Sequence, residues 1–198
     1  MSKIIRSSNL LCRERSHVLV VDVQEKLIPV IDGQDQIVGE IELLLDAAEI
    51  LNVPVTLSEQ YPDGLGPTIP VIREHTSIQN QFDKLRFSAA SGFCRTVSPP
   101  ESIVDDRQQQ VVLVGIETHI CILQTALDLQ RSGWDVCVVA NAVGSRRMID
   151  HEVGLARLSA AGIALVTTES VLFEWCETAG TDEFRQISRA VRNHQPGE

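Results

Sequence analysis

Gln110-Val-Val-Leu-Val-Gly-Ile-Glu-Thr-His-Ile-Cys-Ile-Leu-Gln-Thr-Ala-Leu-Asp-Leu129 changes its period halfway along. Gln110 to Ile116 is an apolar, β-branched run of the kind that fills a strand buried on both faces. From Thr118 to Ser132 the pattern turns helical: Ile122, Thr125, Ala126 and Leu129 share one face, and Gly133 stands where a helix commonly ends. A strand feeding directly into a helix is the unit from which parallel α/β sheets are built.

The same unit recurs on either side. Strand-like runs are His17 to Val23, Val53 to Leu57, Asp135 to Ala140 and Gly162 to Thr167. Gln34 to Leu51 puts Ile37, Ile41, Leu44, Leu45 and Ala48 on one helical face, and Arg147 to Ala161 does so with Ile149, Val153, Ala156 and Ala160. The pattern predicts a three-layer, Rossmann-like α/β fold with a mostly parallel central sheet and helices on both faces. Residues 1–198 are expected to form a single domain, with polar extensions at 1–16 and 193–198. The least regular part, Glu59 to Thr96, has one expected strand around Phe82 to Phe87 and is long enough to cover a site. Ligands of such sheets bind at the carboxyl ends of the strands.

Composition narrows the function classes. The 198 residues are 43% hydrophobic and 22% charged, which suits a globular domain and excludes disordered and fibrous classes. Lys and Arg number 17 against 27 Asp and Glu, a formal charge of −10, and no cationic run exceeds Arg146-Arg147. Nucleic acid is therefore not an expected partner. No apolar stretch approaches the roughly 20 residues of a membrane span, and the charged first 16 residues do not read as a secretory signal. A cytoplasmic location without membrane attachment is expected. Five widely spaced cysteines with no CxxC pair give neither a disulfide framework nor a zinc site.

Dinucleotide, P-loop, serine-esterase, zincin and EF-hand motifs are all absent from the sequence. Three strand ends carry reactive side chains instead. Cys121 begins a helix, where unpaired N–H groups lower a thiol pKa, or it is a small buried hydrophobe. Asp22 ends an apolar run as a general base or as a turn residue. Lys84 orients those groups or extends to solvent. Convergence of all three on one crevice is the reading that gives them chemistry. Cys12, Cys94, Cys137 and Cys176 lack activating neighbours in sequence and read as structural.

Val20-Val-Asp-Val-Gln24, Ser58-Glu-Gln-Tyr-Pro-Asp-Gly-Leu-Gly66, Lys84-Leu-Arg-Phe-Ser88 and Gly115-Ile-Glu-Thr-His-Ile-Cys121 with the helix after it resemble the isochorismatase-like cysteine hydrolase superfamily, from about His17 to about Phe173. The resemblance implies a triad of Cys121 as nucleophile, Asp22 as base and Lys84 beside them. It also implies a non-proline cis peptide between Ile116 and Glu117, and an oxyanion hole made by the backbone N–H groups of Glu117 and Cys121. The implied reaction is hydrolysis of a small amide, carbamoyl or related carbonyl compound through a thioester. Gln24, Glu59, Tyr61, Phe87 and His119 are candidate substrate contacts.

Metal-binding relatives carry an Asp-x-His pair after the second strand. Leu57-Ser-Glu-Gln-Tyr-Pro62 has none, so neither a metal nor any other cofactor is expected. The resemblance also implies a homo-oligomer, for which Val171-Leu-Phe-Glu-Trp175 would offer apolar surface. A catalytically silent interaction module and a redox-sensing thiol protein are the competing readings.

Overall fold

A computed structural model describes residues 6–97 and 109–194. Among the described residues six strands, β1 (Ser16–Val21), β2 (Val55–Gln60), β3 (Ile78–Lys84), β4 (Gln110–Ile116), β5 (Asp135–Gly144) and β6 (Ala164–Val166), form one sheet. Their spatial order is β3-β2-β1-β4-β5-β6, with every neighbouring pair parallel. The helices are α1 (Gln34–Leu51), the short α2 (Pro62–Leu65) and α3 (Pro70–Arg73), α4 (Ala90–Thr96), α5 (Leu123–Arg131), α6 (Met148–Ala160), α7 (Thr168–Cys176) and α8 (Asp182–Asn193).

Alternation within the central strands divides the core into two layers. Val18, Val20, Val112 and Val114 meet α1, α7 and α8 on one face through Ile41, Leu44, Leu45, Trp175 and Ile187. Leu19, Val21, Val111 and Leu113 meet α4, α5 and α6 on the other through Phe93, Ala126, Leu129 and Leu158. Each of the buried Val, Leu, Ile and Phe side chains contributes about 1.5–3 kcal/mol. The order of connection reverses between β1 and β4, which opens a crevice at their carboxyl ends. Among the described residues no helix is long and apolar enough to cross a membrane.

Several sequence expectations need correction. The expected strand at Phe82 to Phe87 lies upstream, at Ile78–Lys84. As an edge strand with alternating half-buried positions, β3 carries polar residues that make its pattern read as loop. In α6 the buried residues are Gly154 and Leu158, while Ile149 (61%) and Val153 (50%) are exposed. The absent side chain of Gly154 allows that face to pack on His119, whose Cα and N lie 3.2 Å from where a Cβ would be. Val171, Leu172 and Trp175 are buried in the chain's own core and offer no oligomer surface. The supposed N-terminal extension is packed too: Leu11 is buried, and Arg6 bonds the carbonyls of Leu11 and Glu174. Residues 1–5 and 195–198 of the expected polar ends lie outside the described residues.

Candidate active site

The first strand ends at Val21, and the chain turns through Asp22 with φ +58°, a left-handed conformation uncommon for a residue with a side chain. Its N–H bonds the Ser58 carbonyl at 3.1 Å, and its carbonyl accepts the Gln24 N–H at 2.8 Å. The carboxylate is wholly buried. Oδ1 accepts the Ser58 hydroxyl at 2.8 Å and Oδ2 accepts Lys84 Nζ at 2.6 Å.

Lys84, the last residue of β3, is also buried. Its ammonium group donates to Gln60 Oε1 at 2.7 Å and to the Phe87 carbonyl at 2.9 Å, and Cys121 Sγ stands 3.7 Å away. A buried ammonium is tolerated when a counter-charge and acceptors surround it. Gln60 is itself fixed, donating its amide to the Leu85 carbonyl at 2.9 Å.

The third contributor is the turn after β4. Gly115 has φ +112°, and a Cβ there would sit 2.1 Å from the Val21 carbonyl oxygen, so only glycine brings β4 this close to the end of β1. The Ile116–Glu117 peptide is cis. Thr118–Ile122 then forms a π-helical turn before α5 begins, where the sequence pattern predicts an α-helix from Thr118. The Glu117 carbonyl accepts the N–H groups of Ile120 (3.1 Å) and Ile122 (3.2 Å), bypassing that of Cys121 between them.

Burial, followed by the charge of Asp22, pushes the Cys121 thiol up to about 12, with Lys84 opposing. The expectation of a thiol pKa lowered by a helix start is therefore overturned. At neutral pH the group is a thiol, because desolvation and a neighbouring carboxylate outweigh the turn's N–H groups. Burial also raises Asp22, while Lys84 and hydrogen bonds from Cys121 and Ser58 hold it back. Cys137 is buried and the Cys12 thiol donates to Glu14 Oε2 at 3.0 Å, and both are pushed up, as is Cys176.

The structure thus brings Asp22, Lys84 and Cys121 together and sorts the remaining candidates. Gln24 is wholly buried, accepting the Gln60 N–H at 2.7 Å and donating to the carbonyls of Gln60 and Gly66. Glu59 is buried and accepts the Thr68 N–H at 2.6 Å. These two tie down the loop from residue 60 to 69. Tyr61 and Phe87 are about half exposed beside the site. His119 bonds Ser145 Oγ through Nδ1 at 3.0 Å. Sequence reasoning missed Ser58, Gln60 and Arg146, the last of which grips Glu117.

Two cavities open at the β5–α6 corner. One of about 210 Å³ is lined by Asn141, Ser145, Met148 and His151 among others, and one of about 520 Å³ by Val30, Arg146, Arg147 and Asp150. Asp22, Lys84 and Cys121 line neither. Among the described residues, the cluster with metal-ligand spacing is Cys12, Glu14 and Glu177, near the chain's amino end, where Arg13 and Arg6 already pair the carboxylates.

A doubly wound parallel sheet that gathers an acid, a lysine and a cysteine at its switch point defines an α/β protein with its candidate site in that crevice. Residues 16–170 match the isochorismatase domain, and the chain belongs to that family. It is 37% identical over 186 residues to isochorismatase domain-containing protein 2A of Mus musculus, covering 92% of this chain and 85% of the relative. A solved structure of the MAR1 ribonuclease from Caenorhabditis elegans superposes with a TM-score of 0.81 at 33% identity, covering 92% of each chain. An Escherichia coli protein described as an octameric hydrolase of unknown specificity shares the fold at TM-score 0.84 and 24% identity, over 94% of this chain and 91% of that one.

Proposed function

We propose that the chain is a metal-independent cysteine hydrolase of small amide, carbamoyl or related carbonyl substrates, with Asp22, Lys84 and Cys121 as its catalytic residues. The observation that carries this reading is the position of the Lys84 ammonium, buried between the Asp22 carboxylate at 2.6 Å and the Cys121 sulfur at 3.7 Å. A cation held there stabilises negative charge on either group as a proton moves between them.

Because the resting sulfur is a thiol, deprotonation and attack go together. Asp22 takes the thiol proton as Cys121 Sγ bonds to the carbonyl carbon. The developing oxyanion is received by the N–H groups of Glu117 and Cys121, the latter bypassed by the Glu117 carbonyl. The C–N bond breaks and the amine leaves with the proton from Asp22. Water, deprotonated by Asp22, then hydrolyses the thioester and restores the thiol.

The working unit is proposed as a single-domain protein of the reducing cytoplasm, which suits its five free cysteines, and as a homo-oligomer. Met148, Ile149 and Val153 on the outer face of α6 are the apolar side chains a second copy would cover. Sedimentation of the wild type against Ile149→Asp checks this: the variant should sediment as a smaller species.

The deciding experiment is ammonia release from a panel of primary amides and carbamoyl compounds by the wild type and Cys121→Ala, with and without a chelator. Release that is abolished in Cys121→Ala and indifferent to the chelator is the expected result. The name of the nematode relative supplies a second reading, hydrolysis of RNA. Against it stands a chain of charge −10 with no cationic run beyond Arg146-Arg147. A parallel arm with an RNA oligomer is expected to show no cleavage. Cleavage lost in Cys121→Ala, with no amide turnover, would replace the amide reading.

A further inference from the structure

Three successive residues ahead of Cys121 each reach the same corner between β5 and α6. The Glu117 carboxylate accepts the Arg146 backbone N–H at 3.0 Å and its side-chain Nε at 3.1 and 3.2 Å. Thr118, wholly buried, pairs its hydroxyl with His151 Nδ1 at 2.9 Å, and His119 Nδ1 pairs with the Ser145 hydroxyl at 3.0 Å. Gly154 lets α6 rest on the backbone of His119. The turn carrying the sulfur is thus held from the surface side by one corner of the chain.

Of these links only Arg146 grips the residue whose own N–H is to receive the oxyanion. It does so with a charge-assisted pair, its Nε lying within reach of both Glu117 carboxylate oxygens. The Glu117 side chain is 12% exposed while that of Arg146 is 58% exposed, so the contact is reachable from solvent. The sulfur, by contrast, has Lys84 Nζ at 3.7 Å and none of the corner's side chains among its bonded partners. Loosening Arg146 should therefore misplace the Glu117 N–H while leaving the sulfur and its proton acceptor in register.

We propose that Arg146 is a positioning residue that acts through Glu117 to hold the oxyanion hole; the assignment rests on the hydrolase reading above. Two reactions of Cys121 separate the oxyanion from the nucleophile. Acylation by p-nitrophenyl acetate passes through a tetrahedral oxyanion: the S–C bond forms, p-nitrophenolate leaves, and the thiol proton goes to Asp22. Alkylation by iodoacetamide forms an S–C bond with loss of iodide and the same proton transfer, but develops no oxyanion.

Both rates are measured for the wild type, Arg146→Ala, Arg146→Lys and Arg147→Ala, the last removing an adjacent exposed cation that bonds nothing at the turn. In Arg146→Ala acylation should fall about 10- to 100-fold, the cost of a small misplacement at a reacting centre. Its alkylation should be unchanged. Arg146→Lys keeps charge but not the guanidinium geometry and should fall between, and Arg147→Ala should behave as wild type. Guanidinium ion at non-denaturing concentration should restore part of the acylation rate to Arg146→Ala.

Wild-type acylation retained in Arg146→Ala would overturn the assignment alone, and so would equal losses of acylation and alkylation. A wild type that is not acylated would sink the hydrolase reading and the assignment with it, whether or not it is alkylated.

Discussion

The two ends of β1 each bury a titratable side chain against a hydroxyl of β2, with opposite consequences. At the amino end His17 meets Thr56 Oγ1 at 2.8 Å, and at the carboxyl end Asp22 meets Ser58 Oγ at the same distance. His17 has only burial acting on it, which lowers its pKa to about 4 and leaves a neutral ring edge-on to Phe93, 5.0 Å between centroids. Asp22 has in addition a buried cation at 2.6 Å and a bond from Cys121 that favours its charge. Burial alone silences an ionisable group; burial with a convergent cation and surplus donors keeps it able to exchange a proton.

The strongest way to break this contrast is Lys84→Met, which would make the carboxyl end of β1 resemble the amino end. Removing one member of a buried pair should cost about 3–5 kcal/mol. The Asp22 carboxyl would be pushed further up, remaining protonated in the folded protein while ionised in the unfolded chain. Stability of the variant should then fall as pH rises through that interval, read from urea midpoints across acid to neutral pH. A midpoint indistinguishable from wild type would show that the pair is not the cluster's mainstay.

The His17 end makes its own prediction with the opposite sign. The unfolded imidazole binds its proton near 6.5 and the folded one only at about 4, so the unfolded state holds more protons between those values. Folded-state stability should fall by about 3 kcal/mol as pH drops through that window and level off below it. In His17→Gln this part of the urea-midpoint slope should disappear.

The paired hydroxyls sharpen the comparison. Ser58→Ala removes a bond to a charged acceptor and should cost about 1.5–3 kcal/mol, against about 0.5–1.5 kcal/mol for Thr56→Val at the neutral end. In Ser58→Ala the acid limb of turnover should also move to higher pH, since the lost bond lowers the Asp22 pKa. Equal costs at the two positions would erase the distinction. The smallest effect on stability belongs to Arg146→Ala, whose largely exposed pair with Glu117 should contribute about 0–1 kcal/mol to the thermal midpoint.

The fold was legible because buried parallel strands advertise themselves: β4 runs Gln110–Ile116 and α1 runs Gln34–Leu51, where period and run length put them. The edges were harder to read. Half of each side chain pair on β3 faces solvent, so its pattern resembles loop, and α6 carries two apolar stripes of which the less obvious one is buried. For the candidate site, Asp22, Lys84 and Cys121 could be named because each is an odd residue type at a strand end and part of a familiar pattern. Ser58, Gln60 and Arg146 could not, since they are ordinary polar residues whose partners lie 36, 24 and 29 positions away in sequence. The raised thiol pKa was hidden for the same reason: it depends on depth and on a carboxylate brought in by another strand.

The sheet order has a consequence for how the molecule fails. Asp22, Lys84 and Cys121 meet only while β3, β2, β1 and β4 lie side by side, whereas the short β6 forms the opposite edge. Fraying at β6 would leave the sulfur's surroundings intact, but opening between β1 and β4 would dissolve them at once. Any activity that depends on Cys121 is thus lost with cooperative melting of the sheet's centre and survives loosening of its β6 margin.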